Sequence, residues 1–203
     1  MDGLPPHPDA VAVPWGLRVD VGLPGHLARH VLLAPDEEVV RKAAAEIAAE
    51  GARDVWIKAF LDPDAVGRWL GPDWEPDAPG HLMTVQLRRS PQIRVPDGYT
   101  LDIAVEDRVA VACVRTGDGE LAASGRMAVT GATTAVADQI VTQDSHQRRG
   151  LGSAVMRSLA HAALDHGART GILAASDQGQ ALYRTLGWTT VAELASYAFR
   201  PAR

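Results

Sequence analysis

The apolar residues of this chain change their period part-way along. Between Tyr99 and Thr142 they alternate with polar or small residues in four short runs. These are "YTLDIAV" (99–105), "RVAVACVRT" (108–116), "ELAASGRMAVT" (120–130) and "TAVADQIVT" (134–142). Alternation of this kind predicts strands, and the tight joins at Glu106–Asp107 and "GDG" (117–119) predict hairpins, so an antiparallel meander is expected. After it the period lengthens. A helix is predicted from about Gly150 to His166, then a strand "TGILAAS" (170–176), a helix over roughly 178–186, and one or two closing strands in "WTTVAELASYAFR" (188–200). Strand, helix and strand in succession call for a parallel pair.

Upstream the pattern is more broken. The first 25 residues hold five of the 13 prolines and predict an irregular lead-in. "ARHVLLAP" (28–35) predicts a short buried strand. Asp36 is placed to cap a helix with Glu37 and Glu38 in its first turn, running to about Glu50 and stopped by Gly51. "DVWIKAF" (54–60) predicts a strand, Asp62 and Pro63 a short helix ending near Gly71, and "HLMTVQLRR" (81–89) a further strand after a turn-rich 72–80. "SPQIRVPDG" (90–98) is the linker candidate, which divides the chain into 1–92 and 93–203.

The two parts are not independent in sequence. At an offset of 116, residues 39–71 align without gaps on 155–187, with 11 of 33 positions identical, among them Gly51-Ala52-Arg53 with Gly167-Ala168-Arg169. This predicts a degenerate N-terminal half-repeat of a helix–strand–helix–strand unit. In that copy "LAPD" (33–36) stands where "RGLG" (149–152) belongs, and Gly67 stands where Tyr183 does, leaving scaffold without chemistry.

Composition narrows the classes. With 203 residues and 46% hydrophobic content the chain can bury a sizeable core. No run of about 18 apolar residues occurs, which argues against a membrane partner. The N-terminus lacks the basic and apolar regions of a secretory leader, so a cytoplasmic location is expected. A lone Cys113, set in "VAVACV", reads as a buried small hydrophobe and leaves neither a disulfide nor a cysteine metal cluster, so no metal is expected. A net charge of −5 argues against nucleic acid and suits a cationic substrate. Eighteen arginines against two lysines reflect genome composition.

"QRRGLG" (147–152) sits between a strand and a helix. A helix N-terminus presents unpaired N–H groups and about half a positive charge, and arginines can add charge-assisted bonds to an anion. A solvated turn capping an ordinary helix is the plainer alternative. The Walker pattern GxxxxGK[ST] is absent, and "GLGSAV" has Val155 where a Rossmann fingerprint needs its third glycine. What these six residues leave open, their surroundings narrow. "Q-R-R-G-L-G" fits Q/R-x-x-G-x-G/A, and "ALYRTLGW" (181–188) follows 34 residues after Gln147, with a strand between and four strands before. Over about 99–200 the chain resembles the GCN5-related N-acetyltransferases.

The resemblance implies an α/β fold with a mixed sheet, and acetyl-CoA, as co-substrate, lying where two parallel strands splay apart, here 134–142 and 170–176. It implies that Gln147, Arg148, Arg149, Gly150, Leu151, Gly152 and Ser153 form the diphosphate cradle. It implies that the backbone of Ile140, Val141 and Thr142 serves the pantetheine arm and the oxyanion, and that Ser176 takes the place of a usual cofactor-contacting asparagine. Tyr183 matches the family's tyrosine and is implied to act as general acid, against the alternative of an aromatic that only fills core. Asp138 is the candidate base, since alternation places 138, 140 and 142 on one face. His146, next to Gln147, is a second candidate. Asp144 replaces a usual proline. The two helices usual between the first and second strands are missing, so residues 1–90 are expected to wrap round and supply the acceptor wall. The implied activity is acetyl transfer to a primary amine of a small molecule or peptide. A non-catalytic acyl-CoA-binding module is the rival, and a homodimer stays open.

Overall fold

The computed structural model describes residues 9–90 and 93–202. In chain order the elements are β1 (Ala10–Val13), β2 (Gly16–Leu23), β3 (His26–Leu32), α1 (Glu37–Ala49), β4 (Val55–Ala59), α2 (Pro63–Trp69), β5 (Trp74–Pro76), β6 (Gly80–Gln86), β7 (Tyr99–Glu106), β8 (Val109–Thr116), β9 (Leu121–Thr130), β10 (Thr134–Thr142), a 3₁₀ turn at Asp144–His146, α3 (Leu151–Asp165), β11 (Thr170–Ala175), α4 (Asp177–Thr185) and β12 (Thr189–Phe199). None of the described helices is long and apolar enough to cross a membrane.

The chain divides into two compact units. One holds the residues up to His81 and those from Ala192 onward; the other holds Leu82–Val191. In the first unit the strand order is β1-β2-β3-β4-β12, with β5 also on β12. In the second it is β6-β11-β10-β9-β8-β7. A division at 92/93 therefore differs from the contacts in a specific way. The last strand of the chain pairs antiparallel with β4, Ala195 opposite Ala59 and Phe199 opposite Val55. Strand β6, which comes after β5, lies instead beside β11. Loop composition marks where a chain can turn and says nothing about which distant strand completes a sheet.

The irregular lead-in is also corrected. Residues 10–13 and 16–23 pair as a hairpin, and β2 pairs on into β3. Pro14 and Pro24 fall in the connecting turns, where proline's missing N–H costs no ladder bond. The first eight residues, on which the reading of a leader rests, lie outside the described residues, as do 91 and 92 of the linker.

Local chemistry accounts for the helix starts. The Asp36 carboxylate accepts from Val39 N at 2.9 Å and the Asp62 carboxylate from Ala65 N at 3.1 Å, each satisfying one of the unpaired first-turn amides. The first unit packs Leu32, Val40, Ile47, Ile57, Val66 and Phe199 into one core. In the second, α3 lays Leu151, Val155 and Leu159 on the Ala112, Val114 and Met127 face of the meander. Each large side chain so buried contributes about 1.5–3 kcal/mol of transfer free energy. Gly125 on β9 makes room for this packing, because a Cβ there would meet Ile140, Val155 and Leu159 side chains at 2.4–3.3 Å.

The two units share a rhythm. Helices α1 and α3 end at Ala49 and Asp165, strands β4 and β11 at Ala59 and Ala175, helices α2 and α4 at Trp69 and Thr185. Each pair of ends is 116 residues apart, the offset of the sequence alignment.

Candidate active site

Strands β10 and β11 begin as a parallel pair and then separate. Thr134, Ala135 and Val136 pair with Thr170, Gly171 and Ile172, and no later pair joins the two strands among the described residues. The cause lies in β10. Its register against β9 shifts between Asp138 and Val141, and Gln139 takes a left-handed φ of 52°. An extra residue bends a strand and re-aims its side chains. Asp138 opposes Arg126, while Val141 opposes Ser124 and Thr142 opposes Ala123. Simple alternation from 138 to 142 is thereby broken: Asp138 shares a face with Val141, and Ile140 and Thr142 turn to the α3 side. Ile140 packs against Gly125, and Thr142 Oγ1 lies 3.5 Å from where a Gly152 Cβ would stand. In the first unit the parallel pair β3–β4 keeps its register from Ala28↔Val55 to Leu32↔Ala59 and opens no such gap.

Beyond the gap the chain turns into α3. Arg148 has φ 60° and Gly150 φ 79°, the left-handed values that let successive amides point to one side. Among the described residues, no side chain caps α3 and no amide of 148–153 donates a hydrogen bond. At the matching end of α1 the Asp36 carboxylate fills that position, with Glu37 and Glu38 beside it. One helix end is left open and electropositive; the other is closed by acid. The two loop glycines do different work. A Cβ on Gly150 would meet nothing within 4 Å, so glycine is there for its backbone conformation. A Cβ on Gly152 would stand 3.0 Å from Leu182 Cδ2, so glycine there admits α4 against the start of α3.

Tyr183, on α4, is 7% exposed and packs near Trp188, with ring centroids 6.0 Å apart. Gly179, one turn earlier, leaves the ring room to lie back along the helix. The phenol is pushed up to about 12, first by burial and then by the Asp138 carboxylate. Its hydroxyl has no hydrogen-bond partner among the described residues. A neutral, unpartnered phenolic O–H on a buried ring is available as a proton donor.

The sequence-predicted residues therefore fall into groups. Tyr183 and Asp138 come within electrostatic reach of each other. Val141 is exposed, and Ile140 and Thr142 turn their side chains inward, which leaves main chain rather than side chains at the parting of the strands. Leu151 is buried in the core and contributes only its amide. Ser153 stands in the first turn of α3. Gln147 is engaged: its side-chain nitrogen donates to the Asp144 carboxylate at 2.8 Å. Arg149 donates to Tyr99 Oη and to the Ser145 carbonyl, whereas Arg148 is exposed and has no partner among the described residues. Ser176 is the N-cap of α4, its Oγ accepting from Gly179 N at 3.2 Å. His146 is buried against Tyr99. Tyr99 escaped sequence reasoning because it lies 50 positions from Arg149. The bulge left a trace that could have been read: inward apolar residues fall at 135, 137 and 140, so the step of two becomes a step of three.

Comparison with known proteins bears on this arrangement. A profile described as the acetyltransferase (GNAT) family matches residues 63–188, reaching further upstream than the motif resemblance. Among solved structures, a GCN5-related N-acetyltransferase from Kribbella flavida superposes with TM-score 0.64 at 20% identity, covering 97% of this chain and 91% of that one. One from Sphaerobacter thermophilus gives TM-score 0.66 at 13% identity, over 92% of this chain and 78% of that one. A tandem GNAT protein from the clavulanic acid biosynthesis pathway gives 0.59 at 13% identity, over 82% and 70%. At these identities the structures speak to the fold alone. Among curated proteins, none matches the sequence.

Proposed function

The chain belongs to the GNAT acetyltransferase family, and from that membership we propose that it moves an acetyl group from acetyl-CoA to a primary amine of a small molecule or peptide. The observation that carries this reading is the row of unpaired amides over 148–153 at an uncapped helix start. Such a row suits a diphosphate, which would replace the missing acceptors and meet the positive end of the α3 dipole. Gln147, Arg148, Arg149, Gly150, Leu151, Gly152 and Ser153 would form the cradle, with Arg148 the arginine free to reach the anion. The main chain of Ile140, Val141 and Thr142, freed where β10 leaves β11, suits the amides of a pantetheine arm and a developing oxyanion. Ser176 bounds this site by holding the start of α4.

Acetyl-CoA supplies an acyl group already activated as a thioester. The chain must supply the proton traffic. An amine attacks only when it is unprotonated, so a base must take its proton; Asp138 fills that role directly or through water. Tyr183 gives its phenolic proton to the departing thiolate. With its pKa near 12 the phenol is fully protonated at working pH, so the acid form is the one that meets the leaving group.

The test is a thiol-release assay with acetyl-CoA across polyamines, aminoglycosides, amino acids and peptides. Amine-dependent release of coenzyme A is the expected result. Tight binding of acetyl-CoA with no release for any amine would overturn catalysis, and absence of binding would overturn the whole assignment.

A further inference from the structure

Arg149 looks, from the motif, like a second cationic arm for the diphosphate. Its surroundings give it other employment. Nη1 donates to Tyr99 Oη at 2.9 Å and Nη2 donates to the Ser145 carbonyl at 3.1 Å, so the guanidinium fork is held in one plane by two elements. Tyr99 Oη is also 2.8 Å from His146 Nδ1. Proton bookkeeping orders this chain. A guanidinium only donates, so the tyrosine oxygen accepts from Arg149 and shares a second hydrogen bond with His146 Nδ1. The other ring nitrogen of His146, Nε2, faces the Glu120 carboxylate at 3.7 Å. The imidazole meets the Tyr99 ring edge-on, with centroids 5.7 Å apart at 88°. Tyr99 itself packs on the core beneath α3.

We infer that Tyr99 and His146 are positioning residues that set the coenzyme-binding turn through Arg149, which acts as a brace rather than as a ligand to the diphosphate. This rests on the acetyl-CoA reading above. Residues 145–149 must fold back on themselves for the amides of 148–153 to share one direction. Arg148 holds a left-handed backbone that a non-glycine residue adopts only under constraint. The Ser145-to-Arg149 bond closes that turn, and the Tyr99 hydroxyl anchors it to the first strand of the meander. His146 fixes the Tyr99 hydroxyl through the hydrogen bond at Nδ1. The catalytic pair lies elsewhere, so this device acts on affinity at one end of the coenzyme and leaves the chemistry alone.

The experiment measures binding of two probes, coenzyme A and S-acetylpantetheine, which lacks the diphosphate, to the intact protein. Tyr99→Phe keeps the ring and its packing while removing the hydroxyl. It is expected to raise Kd for coenzyme A about tenfold, the scale of one or two lost hydrogen bonds, and to leave S-acetylpantetheine unaffected. Arg149→Ala is expected to do the same. The double variant should bind no worse than either single one, since both remove the same brace. Unchanged coenzyme A affinity in Tyr99→Phe would overturn the inference. So would equal losses for both probes, or additive losses in the double variant. Failure of the wild-type protein to bind coenzyme A would overturn the acetyl-CoA reading itself, a result distinct from all of these.

Discussion

The Tyr183 hydroxyl on α4 lies within the field of the Asp138 carboxylate on β10, and burial together with that charge pushes the phenol up to about 12. Removing the hydroxyl with Tyr183→Phe should lower turnover by about 100-fold or more, the usual worth of a general acid, while acetyl-CoA still binds. Steady-state rates beside a binding titration check this. Because the phenol keeps its proton to well above pH 10 or so, no alkaline loss of rate should arise from Tyr183 below that. Turnover equal to wild type in the phenylalanine variant would remove Tyr183 from the mechanism.

Asp138→Asn takes away a charge that disfavours tyrosinate. The Tyr183 phenol should therefore ionise at lower pH in the variant, by the part of the shift that burial does not supply. An ultraviolet titration of tyrosinate, with Tyr183→Phe as the blank, reads this directly. Turnover should fall in parallel if Asp138 takes the amine proton. A phenol titrating as in wild type would mean that the two groups do not sense each other.

The loop glycines should respond to substitution in different ways. Gly150→Val places a branched residue at φ 79° in open space, so its cost is conformational, about 1–2 kcal/mol, and coenzyme A affinity should drop with it. Gly150→Asn, which tolerates left-handed backbone, should be milder. Gly152→Val instead presses on Leu182 and should disturb α4 as well. Coenzyme A titrations with thermal melts would separate the cases. Equal effects of valine and asparagine at position 150 would count against a conformational role.

Much of this was legible from sequence because its causes are local. Asp36 and Asp62 announce helix starts through their own side chains, and alternation in 99–142 marks four strands whose ends agree with the structure to within a residue or two. What was hidden is long-range. Pro14 and Pro24 suggest an irregular lead-in until one knows that strands run on either side of them. Gln139 reads as one more strand residue, and only its register against β9 shows the bulge that parts β10 from β11. The motif could nominate Arg148 and Arg149 together, but not that Tyr99 engages one of them and leaves the other free.

His30 supplies an acid-stability prediction for the first unit. It is 1% exposed, its Nδ1 accepts from Trp15 Nε1 at 3.0 Å, and its Nε2 has no partner. Burial, followed by the Arg18 charge, lowers its pKa from 6.5. The unfolded chain thus binds the proton first, so stability is complete above 6.5 and declines as pH falls toward the lowered folded value. One proton limits the slope to about 1.4 kcal/mol per pH unit. His26, lowered by burial too, adds in the same direction. Urea midpoints between neutral and mildly acid pH should fall in wild type and fall less in His30→Leu. An identical pH slope in the two proteins would refute the assignment.

A fragment of residues 93–203 should fold poorly. It lacks β6, the neighbour of β11, and carries β12 without β4. Circular dichroism melts should show a cooperative transition for the whole chain and none for the fragment. A sharp transition in the fragment would show that β6 is dispensable.

The pairing of β12 with β4 also bears on how the protein is made. A ribosome delivers Val55–Ala59 early, yet their partners Ala195–Phe199 come only after the whole of the second unit. The N-terminal sheet must wait, one edge bare, until β12 has emerged. Nascent chains stalled short of Ala195 should therefore be the species that chaperones hold and proteases find.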